Sequence, residues 1–170
     1  MGIFDRFKSD TATTIEGTMT AEEWYAKGNE CAKAARYKEA LRHYDKALKS
    51  DPECARAWND KAAALDKLGR DQEAFQCARK AAEINPRYVD AWKTKAMIAR
   101  KLPTGITQAY EFTTKARAIE HCNKGEEFAN AGDYKTALYW YDRALGLEPD
   151  DETAVLLKQQ ALAKLGPAEQ

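Results

Sequence analysis

Three tryptophans, Trp24, Trp58 and Trp92, stand 34 residues apart. The same interval separates Ala40 from Ala74, Ala47 from Ala81, and Pro52 from Pro86. One period held in four registers marks a repeat array. Each unit of such an array is a supersecondary element that cannot bury its apolar face alone and must stack on its neighbours.

Each unit divides into two helical patterns. AEEWYAKGNECAKA places Trp24, Gly28 and Cys31 on one face, and YKEALRHYDKAL does the same with Ala40, Tyr44 and Ala47. Rows of Gly and Ala facing rows of aromatics let antiparallel helices approach and interdigitate. Pro52 and Pro86 mark the turns between units, because proline is disfavoured inside a helix and accepted in its first turn. The closing segment ETAVLLKQQALAKLG is one further amphipathic helix. Its Gln159 stands where the units carry Gly or Ala, which suits the solvated face of a cap. At the other end, MGIFDRFK followed by the Thr-rich SDTATTIEGTMT reads as a tail outside the fold, residues 1–20. Ile3, Phe4 and Phe7 form a short amphipathic face there, and docking of that face into a groove of the folded part is an open expectation. Arg6 occupies the position where a myristoylation signal needs Ser or Thr.

These residues resemble the tetratricopeptide repeat, W-x2-L-G-x2-Y followed by A-x3-F, A and P. The first unit carries Trp24, Gly28, Ala40, Tyr44, Ala47 and Pro52; the second carries Trp58, Ala62, Leu65, Ala74, Ala81 and Pro86. The fourth carries Gly125, Phe128, Ala137, Tyr141, Ala144 and Pro149, with His121 in place of tryptophan. The resemblance spans about residues 21–166 and implies an all-α, right-handed solenoid of helix hairpins. Four repeats are expected at about 21–54, 55–88, 89–117 and 118–151, with a capping helix at 152–166 and a short tail at 167–170. It also implies a concave face that binds peptides or partner proteins.

The third unit is irregular. From tryptophan to the first alanine row, units one and two count 16 residues, whereas Trp92 to Ala109 counts 17, with LPTG (102–105) making the turn. From the second alanine row to the next tryptophan position the regular count is 11, whereas Ala116 to His121 is 5. Six residues and the proline are missing where the inter-unit turn belongs. Helix propensity through KARAIEH is good. One expectation is a continuous helix from about Ile106 to Ala131, which leaves apolar surface unpaired on both halves and favours a homodimer, by domain swapping or otherwise. The other is a tight turn near Thr113–Thr114 or Arg117 and a monomeric stack.

Composition excludes several classes. Lys plus Arg and Asp plus Glu are 27 each, so no net charge recruits nucleic acid or an anionic membrane. No apolar run approaches the roughly 18 residues of a membrane span. Cys31, Cys54, Cys77 and Cys122 form no C-x-x-C and are read as small apolar side chains in a reducing, cytoplasmic setting. There is no Walker loop, no dinucleotide-binding glycine motif and no nucleophile elbow, so neither enzyme activity nor a metal or other cofactor is expected. His43 is read as an exposed surface residue, and His121 as a packed or half-exposed one.

The expected partner is therefore another protein or a peptide, held in the groove by Tyr25, Asn29, Asn59, Ala63, Lys93 and Met97. A column of Lys33, Lys67 and Lys101, with Arg36, Arg70 and Arg100 beside it, either lines one rim and holds an acidic peptide or complements the helix C-termini as solvated charge. Asp60 shares the face and makes it mixed in charge. One branch of the family binds the C-terminal carboxylate of heat-shock chaperones through Lys and Asn, then Asn, then Lys and Arg. At those positions this chain has Tyr25, Asn29, Asp60, Asp90 and Thr94, which is one match in five and argues against that ligand.

Overall fold

A computed structural model describes residues 19–165. Among these residues there are eight helices. The first five are α1 (Ala21–Lys33), α2 (Tyr37–Ser50), α3 (Ala55–Lys67), α4 (Asp71–Ile84) and α5 (Val89–Ala99). They are followed by α6 (Gly105–Asn130), α7 (Tyr134–Leu145) and α8 (Glu152–Leu165). The N-terminal segment with Ile3, Phe4 and Phe7 lies outside the described residues.

A capping box starts α1: Thr20 Oγ1 accepts from the Glu23 N–H, and the Glu23 carboxylate accepts from the Thr20 N–H at 2.7 Å. The pairs α1–α2 and α6–α7 close because a small residue admits a ring. Gly28 lies so near the Tyr44 ring that a Cβ there would overlap it, and Gly125 stands in the same relation to Tyr141. The tryptophans have a polar duty besides packing. Trp58 Nε1 donates to the Pro52 carbonyl and Trp92 Nε1 to the Pro86 carbonyl, each at 2.8 Å. Each indole thus ties its helix to the proline turn before it.

The third unit breaks the alternation. Gly105 begins α6 against the Ala99 carbonyl, where no side chain fits, and the helix then runs unbroken to Asn130. This is the continuous helix of the first expectation, about 39 Å long at 1.5 Å per residue. Its two halves bury different faces. At about 100° per residue, Ala109 and Ala116 lie on one side, and Ala118, Cys122 and Gly125 on nearly the opposite one. The first half packs on α5 and the second on α7, and among the described helices α7 and α8 pack only on α6 and on each other. The apolar clusters divide accordingly. One joins Cys31, Tyr44, Leu65, Cys77 and Ile98, and another gathers Ala137, Tyr141 and Ala161 with Phe128 and Leu157. The chain is an all-α helical solenoid with one fused helix.

Two sequence expectations are corrected. His43 is half-buried rather than exposed. Its ring stacks on Trp24 with centroids 5.6 Å apart, and burial followed by Lys46 and Lys27 lowers its pKa. Cys54 is only partly buried, at the N-cap of α3, whereas Cys31, Cys77 and Cys122 are buried; all four are free.

Candidate functional site

The C-terminal halves of α1 and α3, with two tyrosines from α2, enclose a hollow of about 390 Å³. Its floor is apolar: Ala32, Ala64 and the rings of Tyr37 and Tyr44. Lys33 and Lys67 stand at its edge with no acidic partner among the described residues, while Asn29, Asp60 and Ala63 complete the wall. The polar groups are held by each other. Tyr44 donates to Asn29 Oδ1 at 2.7 Å, and Tyr25 donates to Asp60 Oδ2 at 2.7 Å. Asn59 Nδ2 donates to the other Asp60 oxygen at 3.2 Å. Burial, with Asp60 adding to it, pushes the Tyr25 hydroxyl up to about 12 and raises that of Tyr44 further, so both remain donors near neutral pH.

Of the residues anticipated for the groove, Asn29, Lys33, Asp60, Ala63 and Lys67 meet in this hollow. Tyr25 and Asn59 stand behind it and orient Asp60; Asn59 is 6% exposed, and its own Oδ1 is buried without a partner. Arg36 lies outside, paired with Glu39 at 3.0 Å across the turn into α2. The third-unit residues do not join the hollow. Lys101 reaches back to the buried Asp66 at 2.6 Å and occupies the next register of the groove. Lys93 is paired with Glu120 of α6, Arg100 donates weakly to Thr113, and Met97 is left at the surface, 43% exposed. Tyr37, Tyr44, Ala32 and Ala64 were not anticipated. The tyrosines belong to the second helix of the unit, and the signal for them was the small Gly28 through which that helix approaches.

Among the described residues, no group of three or more His, Cys, Asp or Glu is placed to hold a metal ion, and no helix is long and apolar enough to cross a membrane. Residues 25–89 match the family model of the tetratricopeptide repeat. Similar solved structures include the first TPR of Spaghetti (RPAP3) bound to the HSP90 peptide SRMEEVD, with 20% identity and a TM-score of 0.49 over 86% of this chain and 93% of that one. The Arabidopsis OM64 TPR domain follows at 22% identity and TM-score 0.46, covering 85% and 95%. The Sgt2 TPR domain from Aspergillus fumigatus has 18% identity and TM-score 0.45, covering 87% and 80%. No curated protein matches significantly. Over residues 25–89 the chain thus carries a tetratricopeptide repeat, and the pattern's features recur beyond that span, with tryptophans tied to proline turns and glycines seated under tyrosine rings.

Proposed function

We propose that the chain is a protein-interaction adaptor whose first groove takes a peptide segment or helix of a partner. The observation that carries this is the hollow between α1, α2 and α3: an apolar floor large enough for one or two side chains, edged by two lysines without acidic partners among the described residues. Apolar lining with a few convergent polar groups is the common form of a recognition site. Asp60 opposes a ligand carboxylate at one wall and Lys33 and Lys67 favour one at the other, so the groove reads an oriented segment rather than charge alone. Panning a peptide library on the full chain tests this. Enriched peptides are expected to lose most of their affinity for a Lys33→Glu, Lys67→Glu double variant. Equal binding to that variant would place their site elsewhere.

A second reading, self-association, is favoured by a different observation. Ile106 and Tyr110, one turn apart on the first half of α6, are each 76% exposed. In the other units that face of the second helix is covered by the next unit's first helix, and a second copy is the occupant that restores such cover.

A further inference from the structure

A second hollow, of about 570 Å³, lies between the second half of α6, α7 and α8. Each residue that lines it stands 97 positions after one that lines the first: Tyr134 answers Tyr37, Tyr141 answers Tyr44, Ala161 answers Ala64 and Lys164 answers Lys67. The framework recurs at the same interval. Gly125 admits Tyr141 as Gly28 admits Tyr44. The Lys158–Asp142 ion pair at 2.6 Å repeats Lys61–Asp45 at 2.6 Å. Even the ring pair recurs with its partners exchanged: Trp24 stacks on His43, and His121 lies against Trp140. Between the two hollows, the intervening register is filled by Lys101 on Asp66. The molecule therefore holds two separate copies of one groove.

Four wall positions differ, and they decide what the second copy holds. Asp60 is answered by Leu157, which removes the one carboxylate that faced a ligand in the first groove. Asn29 is answered by Glu126, and both its oxygens are engaged by the Arg87 guanidinium, one at 3.2 Å, while Asn123 accepts from the same guanidinium at 2.8 Å. Tyr141 has consequently lost the acceptor that Tyr44 finds in Asn29. It is 1% exposed, it lines the hollow, and its hydroxyl has no hydrogen-bond partner among the described residues. Lys164 has no acidic partner among those residues either, and Lys33 and Ala63 are answered by the amides of Asn130 and Gln160. The second groove thus presents an apolar floor, an unpartnered tyrosine hydroxyl that opens into it and a cation, and its one carboxylate is already neutralised. An anionic segment with apolar side chains complements that set, whereas a cationic one meets no free anion.

We propose that the second groove is a binding site in its own right, taking an acidic, apolar-bearing peptide segment of a partner protein, so that one chain engages two segments. The test uses the full chain labelled with nitrogen-15 and two probes, acetyl-Glu-Leu-Asp-Glu-Leu-Asp-amide and its counterpart with every acid replaced by lysine. The acidic probe is expected to give saturable shifts at the amides of Leu157, Gln160 and Ala161, and the cationic probe none. Tyr141→Phe, which keeps the ring on Gly125, is expected to weaken that binding roughly threefold to tenfold through the lost hydroxyl bond. Lys164→Glu is expected to abolish it, and Lys67→Glu to leave it intact. Absence of saturable shifts at those amides, or indifference to both Tyr141→Phe and Lys164→Glu, overturns the proposal. Shifts confined to residues 29–67 do so as well while leaving the first-groove reading standing. Shifts at Gln160 and Ala161 that grow with protein concentration alone would assign the groove to a second copy and also overturn it.

Discussion

Ala35, Gly69 and Gly132 fill one recurring position, the left-handed residue that ends a first helix, with φ of 56°, 72° and 83°. Each turn is closed by the same backbone bond, Arg36 N to Cys31 O, Arg70 N to Leu65 O and Asp133 N to Phe128 O, at 2.9 to 3.0 Å. A Cβ in that conformation costs about 1–2 kcal/mol, while the chain freedom of glycine costs about 0.5–1 kcal/mol. Strain outweighs entropy, so Ala35→Gly is expected to stabilise the chain by up to about 1 kcal/mol. Chemical denaturation checks this, and a midpoint that stays put or falls would show the strain to be relieved already. Other residue-scale features resist reading from one unit at a time. His121 is an anomaly when set against the tryptophan it replaces. It becomes intelligible only once Trp140 is seen to stand where His43 stands in the first pair, so that ring and imidazole have changed helices.

At the scale of elements, α6 is the departure on which the rest depends. Its continuity was legible by counting, because six residues and a proline are missing and nothing in KARAIEH interrupts a helix. Its consequences were only half legible. The first half does expose apolar surface: Tyr110 holds the position of Leu41 and Phe75, yet it is 76% exposed where Leu41 is 8%. The second half does not. Glu120 stands where Ala57 and Ala91 are buried, and it pairs with Lys93. If a second copy covers Ile106 and Tyr110, two α6 helices laid antiparallel form a self-complementary interface. The full chain is then expected to scatter light as a dimer across a dilution series, and Ile106→Asp with Tyr110→Asp to give a monomer of unchanged helix content. Both side chains are exposed, so the variant should fold; a wild-type chain already monomeric at high concentration removes this reading.

At the scale of the whole molecule, the order of hairpins follows from a periodic pattern, whereas the two grooves depend on which charges meet across helices. Lys101 looked like one member of a basic column until its distance to Asp66 showed it closing the register that separates the hollows. The same geometry governs how the molecule comes apart. In a repeat array, cooperativity passes through the interfaces between neighbouring units. The first five helices share one set of apolar clusters, and the second half of α6 with α7 and α8 forms another. What joins them, apart from the α6 backbone, includes the Arg87–Glu126 and Lys93–Glu120 pairs. Their side chains are 34–54% exposed, and such pairs contribute only about 0–1 kcal/mol each. Tyr141→Ala removes a ring from the middle of the second set, a loss on the order of 3–5 kcal/mol. Hydrogen exchange on that variant is expected to show lost protection from Ala118 through α8, with the amides of α3 and α4 unchanged. A uniform fall in protection across all eight helices would mean that α6 transmits stability as a rigid strut and that the two grooves belong to one cooperative body.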